Sequence, residues 1–118
     1  MYDYNATLVR VIDGDTMILD FDLGLSTHRH ASVRLAGIDA IERSEDPEGL
    51  AKKAMLDWFA ATSNEVLVKT VKDRKSFDRY IATVMTKHLS KSNMGMHPNL
   101  SQYMVEQGFA VEKDYGIA

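Results

Sequence analysis

The first forty residues contain three runs in which apolar and β-branched side chains cluster or alternate with polar ones. These runs cover residues 6–12, 16–23 and 28–38, and each is typical of a β-strand. An Asp-Gly pair within the sequence DGD at 13–15 predicts a tight turn between the first two strands, and Gly24 predicts the next turn. The pattern therefore predicts a three-stranded meander.

Apolar residues then recur at helical spacing, which predicts a helix over residues 47–61. Asp46 is a suitable N-cap for this helix, and Pro47 is a suitable residue for its first turn. The predicted apolar face consists of Leu50, Ala51, Ala54, Met55, Trp58 and Phe59.

Two more strands and a second helix complete the predicted elements. The strands cover residues 65–71 and 79–86, and the helix covers residues 100–107. Asn99 and Gln102 resemble a capping box at the start of that helix, and Gly108 is a plausible stop signal.

The predicted order is β-β-β-α-β-β-α, an α+β chain that is mainly β. Five strands with a helix between the third and the fourth match the five-stranded OB-fold barrel, which recurs in nucleic-acid-binding domains. We expect one domain over residues 1–118, because this length provides for one modest core. Fold alone does not give function.

Composition narrows the class of protein. The chain has no cysteine, no visible signal peptide and no apolar run long enough to cross a membrane, so we expect a cytoplasmic protein. We also expect a monomer. The net charge is −3, but residues 52–91 carry nine Lys/Arg against four Asp/Glu. This asymmetry has two interpretations: ordinary solvated faces, or an acidic focus for a cation beside a basic surface for a polyanion.

Five residues have side chains that suit phosphodiester chemistry. Carboxylates such as Asp15 and Asp39 are the ligands that hard cations prefer, and a further carboxylate, Glu42, can position or deprotonate a water. Arg34 and Arg79 can neutralise a phosphoryl transition state, since a guanidinium binds phosphate bidentately.

Each of these residues also has a purely structural interpretation. Asp15 can satisfy backbone donors in its own turn, and Asp39 and Glu42 can be ordinary loop acids. Arg34, inside an apolar run, can form a structural ion pair with Asp39 or Glu42, and Arg79 can be a strand-edge residue without a role. Their occurrence together in one compact chain favours the functional interpretation.

The chain resembles the staphylococcal nuclease family from Ala6 to about Val111. The segments that carry the resemblance are VIDGDT (11–16), VRLAGIDAIE (33–42), DRYIATV (78–84) and NLSQYMVEQGFAV (99–111). The resemblance implies hydrolysis of DNA or RNA with little sequence preference, leaving 3′-phosphate and 5′-hydroxyl ends.

The resemblance also implies a role for each position. Asp15 and Asp39 match calcium-ligating aspartates, and the position of Ala40 ligates the metal through its backbone carbonyl. Glu42 matches the glutamate that orients the attacking water, and the phosphate-binding arginines match Arg34 and Arg79. The expected cofactor is Ca²⁺, with Mg²⁺ or Mn²⁺ as alternatives, because sites of Asp and Glu accept all three ions.

Two departures from the family pattern leave a second hypothesis open. Ile41 stands where the family usually has proline, and Asp78 adds a negative charge beside Arg79. The alternative is a non-catalytic nucleic-acid-binding OB-fold module. A structural protein that kept the fold is a third possibility.

His28 and His30 lie two residues apart and therefore share one face of a strand, where they can bind a metal. No third ligand is evident in the sequence, which favours ordinary exposed barrel residues.

Overall fold

A computed structural model describes residues 2–41, 46, 48–62, 64–72, 79–87 and 96–113 of the chain. The strands are β1 (Tyr2–Asp13), β2 (Thr16–Asp22), β3 (His28–Leu35), β4 (Ile38–Ala40), β5 (Glu65–Lys72), β6 (Arg79–Thr86) and β7 (Ala110–Glu112). The helices are α1 (Leu50–Ala61) and α2 (Leu100–Glu106).

Five strands close into a barrel in the order β1-β2-β3-β6-β5. The strand β1 pairs with both β2 and β5, and its pairing with β2 shifts register between Leu8 and Arg10 and again between Val11 and Asp13. The pair β3–β6 is parallel, whereas the other pairs around the barrel are antiparallel. This barrel with two helices confirms the predicted OB-fold class and the predicted order of its elements.

The barrel is filled by the inward-facing residues of its strands and by one side of each helix. In β2, for example, Met17, Leu19 and Phe21 are buried while the residues between them are not. The largest fully buried side chains are those of Trp58, Phe59, Met17, Leu19, Leu35, Ile38, Met55, Leu100 and Met104.

The helix α1 begins at Leu50, three residues later than predicted. Gly49 is its N-cap and has a left-handed backbone, with a φ of 69°. Asp46 nevertheless serves this helix end, because its carboxylate accepts hydrogen bonds from the amides of Leu50 and Ala51, each at 2.9 Å. Pro47 lies outside the described residues. Leu50 is exposed, so the predicted apolar face is confirmed at its other five positions.

The second helix agrees more closely with its prediction. Asn99 is the N-cap, and its side-chain oxygen accepts a hydrogen bond from the Gln102 amide at 3.3 Å. The Gln102 side chain does not complete a capping box, because the backbone N–H of Asn99 donates to Nδ1 of His97 at 3.0 Å instead. The side-chain nitrogen of Gln102 donates to Glu112 Oε1 at 3.5 Å.

The predicted third strand, 28–38, is two strands. β3 ends at Leu35, and Gly37 turns the chain with a φ of 78°. The chain then enters β4, which pairs with β7 in a separate two-stranded sheet. Neither short strand was predicted as a separate element, and their pairing positions part of the candidate site. No helix in the described ranges has the length and apolar character that crossing a membrane requires.

Candidate active site

Arg34 lies on the outer side of β3, between the inward-facing residues Val33 and Leu35. Its side chain is only 12% exposed. Nη1 donates hydrogen bonds to the carbonyl oxygens of Leu35 at 3.3 Å and Ile38 at 3.1 Å. The turn between β3 and β4 therefore holds one side of the guanidinium in place.

Asp15 is brought to Arg34 by the tight β1–β2 turn that the sequence predicted. The Asp15 amide donates to Asp13 Oδ1 at 3.1 Å, and the Leu35 amide donates to the Asp15 carbonyl at 2.8 Å. The Asp15 carboxylate accepts hydrogen bonds from the Thr16 hydroxyl at 3.0 Å and, across the fold, from the Ala40 amide at 3.2 Å. Asp15 thus links the turn to β4.

Two carboxylates converge on one guanidinium nitrogen. Nη2 of Arg34 lies 2.8 Å from Oδ1 of Asp39 and 3.4 Å from Oδ2 of Asp15. The other carboxylate oxygen of Asp39 lies 3.1 Å from Nζ of Lys113, which follows β7. The structural ion pair between Arg34 and Asp39 is therefore present, and it belongs to a larger cluster of acids and bases.

The surroundings of Asp15 change its pKa. Burial raises the pKa of Asp15 above its usual value, and so do the hydrogen bond and the charge of Asp13. The Ala40 amide and the Arg34 guanidinium act in the opposite direction but do not cancel these effects. The surroundings of Asp15 therefore make its negative charge unfavourable, and a cation bound there would relieve this.

The backbone of Ala40 faces Asp15. Ile41 donates to the Phe109 carbonyl at 3.0 Å, and Lys113 donates to the Gly37 carbonyl at 2.8 Å. Because hydrogen-bonded and non-hydrogen-bonded pairs alternate along an antiparallel ladder, Ala40, which pairs with Ala110, turns its N–H and C=O away from β7. The Ala40 carbonyl is thus free of the ladder, on the same side as the N–H that reaches Asp15.

Two contacts hold Ile41, which stands where the family usually has proline. Its side chain is partly buried against the core, and its N–H donates to the Phe109 carbonyl at 3.0 Å, a bond that proline cannot make.

Close backbone packing brings the turn, β4 and α1 together beside the cluster. A Cβ atom on Gly14 would lie 3.0 Å from Cβ of Ala51 and 3.1 Å from Cβ of Ala40. A groove of about 350 Å³ opens here, lined by Ile12, Asp13, Gly14, Ile41, Asp46, Gly49, Ala51 and Lys52. Glycine at position 14 therefore permits the approach that places β4 next to Asp15.

The structure brings together four of the six predicted site residues: Asp15, Arg34, Asp39 and Ala40. The backbone of Arg79 pairs with Ser32, two residues before Arg34 on β3. Glu42 lies outside the described residues, so its predicted role stays a prediction. Asp78 lies outside them as well.

Two charged neighbours of the cluster were not predicted. Lys113 reaches Asp39 through the pairing of β4 with β7, and no local pattern in the sequence marks that pairing. Asp13 belongs to the DGD turn, so its place beside Asp15 had a visible signal. In the part of the chain that the structure describes, no three His, Asp or Glu side chains form a ready-made metal cluster.

The fold and this cluster define a class: a small OB-fold-like barrel in which acids from the β1–β2 turn and from β4 surround an arginine of the third strand. A family model described as staphylococcal nuclease homologue matches residues 32–116. The chain therefore belongs to the staphylococcal nuclease homologue family, which indicates a nuclease-type, nucleic-acid-related function. Asp15 precedes the matched residues, so its assignment to the site depends on the contacts described above. No curated protein matches the chain.

Proposed function

We propose that the protein is a cation-dependent nuclease that hydrolyses phosphodiester bonds of DNA or RNA with little sequence specificity, acting as a monomer. One observation carries this proposal: the carboxylates of Asp15 and Asp39 converge on Nη2 of Arg34, in a chain of a nuclease family. Opposite charges held together beside a groove suit a ligand that has both a cation and a phosphate.

The oxygen atoms around Asp15 fit a hard cation, and we propose Ca²⁺. Asp15 and Asp39 provide carboxylates, and the Ala40 carbonyl is free of the sheet ladder on the side of Asp15. Carboxylate and carbonyl oxygens are the ligands that Ca²⁺ prefers, with Mg²⁺ and Mn²⁺ accepting similar donors. When bound, the cation would supply positive charge to a phosphate oxygen.

Arg34 is the group that we propose to bind the substrate phosphate. In the structure, Nη2 contacts carboxylates while the carbonyls of Leu35 and Ile38 hold Nη1. A phosphate can replace the carboxylates at Nη2 without disturbing the contacts that orient the guanidinium. Arg34 then neutralises charge that develops on the phosphate in the transition state.

Arg79 and Glu42 complete the proposed machinery. The backbone of Arg79 starts β6 beside Ser32, so we assign Arg79 to a second phosphate contact or to the leaving oxygen. Glu42 follows Ala40 by two residues, and we assign it to the water that attacks phosphorus. The bond from phosphorus to the 5′ oxygen breaks, and that oxygen takes a proton.

Cleavage of denatured DNA and of RNA by the purified protein, with calcium and then with a chelator, tests the proposal. We expect cleavage only with calcium, and a loss of roughly 100- to 1000-fold in rate for Arg34→Ala, the usual effect of removing one donor to a developing oxyanion. Arg29→Ala is the matched control, because Arg29 is exposed near the other end of the same strand.

Two results would contradict this proposal. The first is equal cleavage by wild type and Arg34→Ala. The second is binding of nucleic acid without turnover, with a steep salt dependence, which would identify the chain as a binding module instead.

A further inference from the structure

Three side chains with metal-binding groups share the outer face of the β2–β3 ribbon, away from the candidate active site. Asp20 on β2 lies directly opposite His30 on β3, and His28 is two residues before His30 on the same strand. Directly paired residues and residues two apart on a strand point to the same face. Asp20 therefore joins the two histidines as a third side chain with a metal-binding group on this face.

One nitrogen of each imidazole lies within 4 Å of the same oxygen of Asp20. Oδ1 lies 3.6 Å from Nδ1 of His28 and 3.9 Å from Nε2 of His30. This oxygen is buried and has no hydrogen-bond partner in the described part of the chain, although the Asp20 side chain as a whole is partly exposed. A buried acceptor without a hydrogen-bond partner is unfavourable, so its retention calls for a physical reason.

These separations are close to those between ligands of one metal ion. Zinc bonds of about 2.0–2.2 Å in tetrahedral geometry place neighbouring ligand atoms roughly 3.3–3.5 Å apart. The two nitrogen–oxygen distances, 3.6 and 3.9 Å, exceed this by a few tenths of an ångström. The described residues contain no ready-made cluster, so binding requires a small rotation of the side chains. Both imidazoles are mostly exposed and can make that rotation.

We propose that Asp20, His28 and His30 form a surface site for a divalent transition-metal ion of the zinc class. Two imidazole nitrogens and one carboxylate oxygen suit zinc rather than calcium or magnesium, which prefer oxygen ligands alone. Three protein ligands leave the fourth position open to a water or to an oxygen atom of another ligand.

This site is distinct from the proposed calcium site. His30 and Arg34 are four residues apart on β3, which corresponds to about 13 Å along a strand. None of the three ligands contacts the cluster of Asp15, Arg34 and Asp39 in the described contacts. Zinc binding therefore depends on neither the nuclease activity nor the calcium ligands.

Calorimetric titration of the purified protein with zinc chloride tests the proposal. We expect one saturable site per chain in the wild type. Loss of an outer-shell partner alone typically lowers metal affinity about 10- to 100-fold, so His28→Ala, His30→Ala and Asp20→Asn should each lower it at least tenfold. The controls Arg29→Ala and Asp3→Asn change an exposed charge outside the three ligands and should bind like the wild type.

Two results of the titration would overturn the proposal, and a third variant serves as a control. Absence of saturable zinc binding by the wild type overturns the proposal, and so does unchanged affinity in Asp20→Asn, which would place the ion on other residues. Asp39→Asn should keep zinc affinity, because Asp39 belongs to the other cluster. Circular dichroism melting of each variant checks that it is folded, and His30→Gln replaces His30→Ala if the latter melts early.

Discussion

A charged Asp15 is unfavourable for the folded protein, yet the proposed chemistry requires that charge to bind a cation. Asp15 is 14% exposed, and its negative charge lies beside that of Asp13. Because the pKa of Asp15 is raised above the ordinary value of 3.8, the folded state binds a proton at this carboxyl more tightly than the unfolded state does. This proton binding stabilises the folded state fully below about pH 3.8, and the stabilisation is lost as the pH rises through the raised pKa.

Asp15→Asn should therefore raise the stability of the cation-free protein at pH 7. The amide keeps an oxygen for the Ala40 N–H but carries no charge beside Asp13. We expect a gain of about 0.5–2 kcal/mol in the free energy of unfolding, the usual size of a single stabilising change. The gain should disappear below pH 3.8, where the unfolded carboxyl is also protonated. Thermal or urea unfolding at several pH values in chelator measures it.

Calcium should make the wild type more stable than Asp15→Asn, the reverse of the order expected in chelator. A ligand that binds only the folded state stabilises it in proportion to the logarithm of its concentration. We expect calcium to raise the Tm of the wild type and to leave that of Asp15→Asn nearly unchanged. A wild type that is already the more stable protein in chelator at pH 7 would contradict this interpretation of Asp15.

At the scale of elements, the small sheet of β4 and β7 positions Asp39. Ile41–Phe109 and Gly37–Lys113 are joined by hydrogen bonds, so the alternation of the ladder makes Asp39–Val111 a hydrogen-bonded pair and Ile38–Glu112 a non-bonded pair. The N–H of Val111 is therefore directed to β4, and that of Glu112 is not.

Two proline substitutions on β7 can distinguish the role of this sheet in positioning Asp39 from nonspecific destabilisation of the strand. Val111→Pro removes the N–H that β4 uses, and we expect it to lower stability by about 1–3 kcal/mol and to abolish most cleavage, because Asp39 loses its support. Glu112→Pro is the matched control: it removes an N–H that the ladder does not use, so cleavage should persist. Unfolding curves and cleavage rates check both variants, and equal effects of the two prolines would contradict this role for β7.

This sheet also shows where prediction from sequence reaches its limit. The barrel strands and α2 could be predicted because runs of seven or more residues display their period and because DGD and Asn99 give local signals. β4 and β7 have three residues each, too few to show a period. Their pairing is a long-range contact, so Lys113 could not be predicted to lie beside Asp39. The proximity of Asp15, Arg34 and Asp39 could be predicted because the motifs themselves carry them, and their roles stay predictions.

At the scale of the whole molecule, a net charge of −3 must be reconciled with a polyanionic substrate. Lys52 of α1, a lysine of the basic stretch 52–91, lines the same groove as Gly14 and Ile41, which precede Asp15 and follow Ala40 in the chain. Lys69 of the same stretch lies on β5, opposite Asp3 of β1. Substituting each lysine in turn can therefore show whether nucleic acid binds near the groove or responds only to the net charge of the protein.

Lys52→Glu should weaken binding of a single-stranded oligonucleotide and lower the slope of log affinity against log salt by about one, the expected effect of losing one phosphate contact. Lys69→Glu makes the same change in net charge and should leave that slope unaltered. Fluorescence anisotropy over a series of salt concentrations in chelator measures both. Equal slopes for the two variants would place the nucleic acid elsewhere on the surface.

The central claim is that the acids around Arg34 hold the cation that nuclease activity requires. The initial rate of cleavage of denatured DNA against calcium concentration tests it most directly, in the wild type, Asp39→Asn and the control Asp3→Asn. We predict saturable activation of the wild type, the same curve for Asp3→Asn, and a rate for Asp39→Asn that falls at least tenfold or needs far more calcium, as expected when a metal ligand is lost. A wild-type rate independent of calcium, or an Asp39→Asn curve that coincides with that of the wild type, would contradict the claim.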